Sequence, residues 1–156
     1  MTLLSIVDVL STRQTTVGIE ALEAPMGLPR EYQDIPGTYV QDGAHTRAGY
    51  RLNMALLELN KAAGRDAFRA DEAAFLDGFG VTAEQRQAVL ERDWLRMLQV
   101  GANVYYLLKL TAFDRVSVQH MASQMSGVSE AEFVAMMVGG GRSVEGNRSR
   151  REQAAR

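Results

Sequence analysis

Histidines are the side chains in this sequence best suited to metal chemistry, and there are only two, His45 and His120. They lie far apart in the chain, and neither belongs to a metal-ligand spacing such as His-Glu-x-x-His. An iron site of two histidines and one carboxylate would need both of them. The chain has no cysteine, which excludes thiolate ligands, disulfides and cysteine nucleophiles. We therefore expect neither a metal site nor a catalytic set of residues in this chain.

A second candidate for chemistry is the glycine run that precedes Arg142, which superficially resembles a phosphate-binding loop. It lacks the lysine of such a loop, and it follows a predicted helix where a phosphate loop follows a strand. Carbonyl groups, which repel phosphate, face outward at the end of a helix. The run therefore predicts a helix end.

The segment from Val118 to Ser129 resembles a helix-turn-helix, whose second helix would begin at Ser129. Ala122 lies too far before Gly127 for that motif. The following helix opens with glutamates, which suit the helix dipole but repel DNA phosphates. A net charge of −2 and a pI near 5.7 also argue against a nucleic-acid partner. A DNA-binding regulator is therefore the weaker alternative, and it predicts salt-dependent DNA binding.

The composition is that of an ordinary globular protein, with 46% apolar and 23% charged residues in a chain of 156. This length suits one domain with a buried core. No stretch approaches the roughly 18 apolar residues that span a membrane. The N-terminus has no basic leader, and Asp8 interrupts its apolar run. We predict a cytoplasmic protein with no membrane contact.

The prolines divide the chain, because all three (Pro25, Pro29 and Pro36) lie in its first quarter. The long remainder is free of proline and poor in β-branched runs, which favours helices. The fold class predicted is all-α, a compact multi-helix domain. The domains predicted are an N-terminal extension at 1–34, a helical domain at 35–149 and a basic tail at 150–156.

Apolar periodicity and capping signals place the helices. Thr82 with Gln85, and Ser129 with Glu132, are capping-box pairs, and Ser117 is a further cap. The predicted helices are 46–60, 65–76, 82–98, a segment around 104–108, 117–127 and 129–137.

The first of these helices carries apolar residues at Tyr50, Met54 and Leu57, a spacing that predicts a face turned to the core. Leu52, Leu56 and Leu59 widen this face, and Gly64 is expected to end the helix.

Six segments stand in order between Ile35 and Ser149. They are Ile35-Pro36-Gly37-Thr38, Arg47-Ala48-Gly49-Tyr50-Arg51-Leu52-Asn53, Phe68-Arg69-Ala70-Asp71-Glu72 with Phe75-Leu76-Asp77, Ala88-Val89-Leu90-Glu91-Arg92-Asp93, Gly101-Ala102-Asn103-Val104-Tyr105-Tyr106, and Gly140-Gly141-Arg142-Ser143-Val144-Glu145-Gly146-Asn147-Arg148-Ser149. Together they resemble the small (α) subunit of the protocatechuate 4,5-dioxygenases, which are LigAB-type extradiol enzymes.

The resemblance implies a helical cap that packs on a larger β subunit, in a complex expected to be α2β2. In that family the β subunit holds non-haem Fe(II) through two histidines and a glutamate, binds a catecholic substrate and O2, and opens the ring. The α subunit closes the mouth of the active site. The resemblance therefore assigns the iron to a partner and implies that this chain is not catalytic alone.

The resemblance also implies which residues face the substrate. The family pattern Asp-Gly-Lys-Ser-Phe-Gln corresponds here to Asp114-Arg115-Val116-Ser117-Val118-Gln119. Ser117, Val118, His120 and Met121 are accordingly the candidate lid residues. Val118 in place of the aromatic residue implies a wider pocket, so the substrate stays open among protocatechuate, gallate and related catechols.

Each candidate also has a plainer interpretation. Ser117 fits a helix cap, Val118 a core valine, and His120 a surface or capping histidine. Two interpretations stay open for Arg142 and Arg148: they contact the β subunit, or they belong to a solvated tail. A stand-alone helical binding module, without a partner, remains the second hypothesis for the whole chain.

Overall fold

The computed structural model describes residue 35 and residues 39–141. This part of the chain is all helical, which confirms the predicted fold class. The helices are α1 (Gly43–Glu58), α2 (Ala62–Ala70), α3 (Glu72–Gly78), α4 (Ala83–Leu90), α5 (Trp94–Gln99), α6 (Val104–Asp114), α7 (Val118–Ser126) and α8 (Glu130–Val138). The predicted extension at 1–34 and tail at 150–156 lie outside the described residues.

Capping side chains begin nearly every helix. In all except α2, the N-cap side chain accepts a hydrogen bond from a backbone N–H of the first turn, which satisfies a donor that the helix leaves unpaired. These N-cap residues are Asp42, Asp71, Thr82, Asp93, Asn103, Ser117 and Ser129. Both predicted capping boxes, at the starts of α4 and α8, are confirmed.

Two predicted helices are each divided in the structure. Asp71 interrupts the predicted helix 65–76, because its backbone is extended and its side chain caps α3. The helix predicted at 82–98 ends at Leu90, since Arg92 has a left-handed backbone (φ 55°) and Asp93 caps α5. Aspartate side chains compete with the helical ladder for backbone N–H groups. The apolar stripe continues across both breaks because the flanking helices pack on one core.

The core is built around Phe68, which is fully buried. Its ring meets Phe75 and Phe113 edge to face, with centroids 5.3 and 5.1 Å apart. The other buried apolar residues are Leu52, Ala55, Leu56, Leu59, Leu76, Ala88, Val89, Trp94, Met97, Ala102, Leu107, Leu110 and Met121.

The face of α1 predicted to meet the core is confirmed for its leucines at 52, 56 and 59 and is wrong for Tyr50 and Leu57. Leu52, Leu56 and Leu59 are buried, whereas Tyr50 is 60% and Leu57 is 37% exposed. Both sets have helical spacing, so periodicity alone could not separate them. Gly64 also does not end the first helix. It lies inside α2, where a side chain would overlap the carbonyl group of Glu58.

Arg92 ties three parts of the fold together. Its guanidinium donates to Glu72 at 2.7 Å and to Asp114 at 2.6 Å, and it lies over the ring of Phe68. Hydrogen bonding to Glu72 raises the pKa of Arg92 above its ordinary value, and Asp114 raises it further. Together the two carboxylates outweigh burial, which lowers the pKa of Arg92. The arginine therefore stays charged and links α3 to the end of α6.

A close contact between distant parts of the backbone joins α1 to the loop before α6. A Cβ atom at Gly49 would overlap the carbonyl oxygen of Gly101, which itself has a positive φ of 106°. Only glycine allows two backbones to approach in this way. We refer to Gly49, Gly101 and the polar side chains that surround them, Asn53 and Gln85, as the glycine crossing.

Buried amides complete the glycine crossing. Asn53 donates to the carbonyl of Gly101 at 3.2 Å and accepts from the N–H of Asn103 at 2.9 Å. Gln85 donates to the carbonyls of Ala48 and Val100 at 3.0 and 2.9 Å. Gln85 Oε1 also accepts from the N–H of Thr82 at 3.0 Å in the capping box of α4, so this side chain joins its own helix start to two other segments. The crossing therefore fixes the entry to α6 relative to α1 and α4.

Candidate functional site

Ser117 lies where α6 gives way to α7. The chain leaves α6 through Arg115, whose backbone is left-handed (φ 59°), and Ser117 then caps α7. Its Oγ accepts the N–H of His120 at 2.8 Å and donates to Glu130 Oε1 at 2.5 Å. The capping role predicted for Ser117 is therefore confirmed, and the same hydroxyl joins the start of α7 to the start of α8.

His120 lies on the first turn of α7, with 42% of its side chain exposed. Its Nδ1 is 3.5 Å from Glu130 Oε2, and the Glu130 side chain is 45% exposed. The structure thus brings together Ser117, His120 and Glu130, which we call the polar cluster.

Glu130 was not predicted as a member of the polar cluster. It is separated from Ser117 by the whole of α7 and approaches because the chain turns back at Gly127, which has a left-handed backbone (φ 68°). The available signals were the glycine and the capping box at Ser129. Those signals give a helical hairpin, but not the side-chain contacts across it.

The other two candidate lid residues point in different directions. Val118 is 52% exposed, so the interpretation of Val118 as a core valine was wrong. Met121 is 2% exposed and packs in the hydrophobic core. The exposed part of the predicted lid therefore consists of Ser117, Val118 and His120.

Helix α8 buries none of its residues. Val134, Met137 and Val138 are 40%, 57% and 85% exposed, and their spacing places them on one helix face. We refer to these three residues, with Val118, as the α7–α8 surface. Apolar side chains gathered on an exposed helix face are typical of a protein interface.

The polar cluster does not have the arrangement of an activated nucleophile. Such a serine donates its proton to a histidine nitrogen, whereas Ser117 donates to a carboxylate and accepts from the backbone. His45, the second histidine, does not belong to the cluster. Its Nε2 lies 2.7 Å from the carbonyl oxygen of Leu98. His45 thus links α1 to α5.

Among the described residues, no group of three or more histidine, cysteine, aspartate or glutamate side chains could hold a metal ion. The polar cluster offers one histidine and one glutamate, which does not fit a three-ligand iron site. Within the same part of the chain, no helix has the length and hydropathy required to cross a membrane. Arg142 and Arg148, predicted at a subunit interface, lie outside the described residues.

The sequence is similar to known proteins over the region that carries the site. It is 28% identical over 102 residues to gallate dioxygenase of Pseudomonas putida, a stretch that covers 65% of this chain and 30% of that protein. This chain thus corresponds to less than a third of that relative's length. Residues 52–138 match the family described as aromatic-ring-opening dioxygenase LigAB, LigA subunit. That match takes in more than half of the chain, including the polar cluster and the α7–α8 surface, and the chain belongs to the LigA-subunit family of aromatic-ring-opening dioxygenases.

Proposed function

We propose that this chain is the small, iron-free subunit of an extradiol ring-cleaving dioxygenase. In this proposal it covers the active site of a larger β subunit and helps to select a catecholic substrate. The observation that carries the proposal is the α7–α8 surface, an exposed apolar helix face beside a polar cluster, in a member of a dioxygenase-subunit family.

The need for a partner is supported by the residues that the chain offers. The described part has no group that could hold a metal, so we assign ring opening, and the Fe(II) that it requires, to the larger subunit. The matched stretch is 30% of gallate dioxygenase, so most of that protein has no counterpart in this chain. A separate larger subunit would supply that part, and we expect an α2β2 complex.

The α7–α8 surface is the proposed contact with the larger subunit. Burial of apolar surface contributes roughly 25 cal/mol per Å², and Val138 and Met137 have the most surface to bury. Arg142 and Arg148 follow α8 in the sequence, and we propose that they bind carboxylates of the same partner. Residues 1–34 are proposed as an additional segment that contacts it.

The role of the cover is to exclude water and shape the pocket. Extradiol cleavage produces reactive intermediates, and a closed site limits their loss to solvent. Val118 is exposed and small, so it leaves room beside the ring, while His120 provides a polar group next to it. We propose a catechol with a further polar substituent, of the protocatechuate or gallate class, as the substrate.

The helix-turn-helix alternative gains no support from α8. Its first turn holds Glu130 and Glu132, and α8 contains no lysine or arginine. A recognition helix needs positive charge toward the phosphates. A single function is therefore proposed.

Co-expression with a candidate larger subunit, a chain that carries a two-histidine, one-glutamate iron site, tests the proposal. We expect the two chains to co-purify, and ring opening after anaerobic Fe(II) loading to require both. Spectrophotometric assays on a panel of catechols would measure the product. If this chain alone opened the ring, or if the larger chain were equally active without it, the proposed role as a cover would be wrong.

A further inference from the structure

We propose that Glu130 is a positioning residue that sets the protonation of the His120 ring. In this arrangement the ring carries its proton on Nδ1, toward Glu130, and presents the lone pair of Nε2 to a substrate hydroxyl. This inference rests on the proposed function, in which the start of α7 faces the substrate.

The two oxygens of the Glu130 carboxylate have different neighbours. Oε1 accepts the Ser117 hydroxyl at 2.5 Å, which anchors the carboxylate to the N-cap of α7. Ser117 is itself fixed by the N–H of His120. Oε2 is then the atom that faces Nδ1 of His120, at 3.5 Å. The Ser117 hydroxyl thus bonds both to the Glu130 carboxylate and to the backbone of His120, which keeps the carboxylate beside the imidazole.

The charge on Glu130 decides which nitrogen carries the proton. A neutral imidazole has one N–H and one lone pair, and the group beside a ring nitrogen determines which of the two it carries. A carboxylate can only accept, so a lone pair on Nδ1 would be repelled by Oε2. At 3.5 Å the contact between Nδ1 and Oε2 is electrostatic. Glu130 therefore favours the proton on Nδ1.

The consequence is an acceptor at Nε2. A phenolic hydroxyl of a catecholic ring can donate a hydrogen bond to this lone pair. If the proton transfers, the hydroxyl oxygen keeps the electron pair, Nε2 gains the proton, and the new positive charge lies next to the Glu130 carboxylate. Ser117 does not compete for the same proton, because its hydroxyl is already bonded to Glu130.

The substitution Glu130→Gln tests the inference with little structural change. Its amide oxygen can still accept the Ser117 hydroxyl, while its amide nitrogen replaces Oε2 and donates toward Nδ1. The tautomer should therefore reverse, with the proton moved to Nε2. The matched control is Glu132→Gln, which removes one charge from the same turn. Glutamine keeps that capping box, as Gln85 does in α4.

The first measurement is the ¹⁵N chemical shifts of the His120 ring in the full chain, at a pH where the ring is neutral. We expect an Nδ1-protonated ring in the wild type and in Glu132→Gln, and a shift toward Nε2 protonation in Glu130→Gln. The same tautomer in all three proteins would overturn the inference, whether or not the chain proves to be a dioxygenase subunit.

The second measurement is kcat/KM for ring opening in the reconstituted complex. We expect Glu130→Gln to lower kcat/KM by about threefold to tenfold, the range that one hydrogen bond contributes. Glu132→Gln should leave it unchanged. In a His120→Gln background, where no tautomer exists to be set, Glu130→Gln should have no further effect. An equal loss in both backgrounds would contradict the proposed positioning, whereas failure of the wild-type chains to assemble would count against the proposed function.

Discussion

The glycine crossing and the polar cluster use polar groups in opposite ways. At the crossing, the amides of Asn53 and Gln85 are buried and bond to the backbone of other segments. In the polar cluster, His120 and Glu130 are about half exposed, and the helix that carries Glu130, α8, buries no residue. The first region holds the fold together from within, while the second is accessible to solvent, which is why we propose it and the neighbouring α7–α8 surface as the place of contact with another molecule.

This difference separates two classes of substitution. Changes at the crossing should lower stability, because they disturb close contacts and leave buried groups unpaired. Changes at the α7–α8 surface should leave stability almost unaltered and act on assembly or substrate choice. The following substitutions test that separation, beginning with the largest expected effect.

Gly49→Ala should be the most damaging change. The new methyl group would overlap the Gly101 carbonyl, so we expect the free energy of unfolding to fall by about 3 kcal/mol or more. Gly43→Ala is the control, because nothing lies within 4 Å of the added carbon. Urea unfolding followed by circular dichroism measures both. Equal midpoints for the two variants would show that the backbones can separate without cost.

Asn53→Ala should have the next largest effect. It leaves the carbonyl of Gly101 and the N–H of Asn103 without their buried partner, at a cost of about 2 kcal/mol. Asn60→Ala, at an exposed position after α1, is the matched control. Thermal and urea unfolding should separate the two variants, and a loss no greater than that of Asn60→Ala would contradict the role assigned to the buried amide.

Val118→Phe should change substrate choice without changing stability. The exposed position accommodates the larger ring in the free chain, but the pocket of the complex would narrow. We expect the relative kcat/KM for bulky and small catechols to shift by about tenfold, the lower end of the effect of one methylene group in a pocket. Unchanged ratios across several ring substituents would reject the placement of Val118 at the substrate.

Val138→Ala should have the smallest effect, seen only in assembly. Loss of part of an apolar side chain buried at an interface costs about 1 kcal/mol, or roughly fivefold in Kd for the larger subunit. Val104→Ala applies the same substitution to an exposed valine beside the glycine crossing. Calorimetric titration with the larger subunit should distinguish them. If both variants bound equally well, the contact would lie elsewhere.

Local signals predicted much of the fold. The capping boxes at Thr82 and Ser129, the cap at Ser117 and the helix end at Gly127 all act over a few residues, so the sequence contains them in full. The break at Arg92 was missed because a left-handed backbone is uncommon for arginine, and the partners of its side chain, Glu72 and Asp114, are distant in sequence.

The candidate site was predicted only in part, for the same reason. Ser117 and His120 belong to one helix start, where the capping signal identified Ser117 and the family resemblance identified both as candidate lid residues. Glu130 belongs to the next helix and reaches them because α7 and α8 form a hairpin. The sequence pattern of a single helix carries no information about that contact. Met121 shares the helix but faces inward, and its direction depends on the packing of α7 against its neighbours.

The absence of buried residues in α8 also affects how its amide protons exchange with solvent. Opening α8 would expose no core residue from that helix, so its amides should exchange by local unfolding at low free energy. Amides in α1, which contributes several core residues, should exchange only when the whole domain unfolds. Mass spectrometry after deuterium labelling would follow both helices at once. Protection gained in α8 when the larger subunit is added would then map the contact without any substitution.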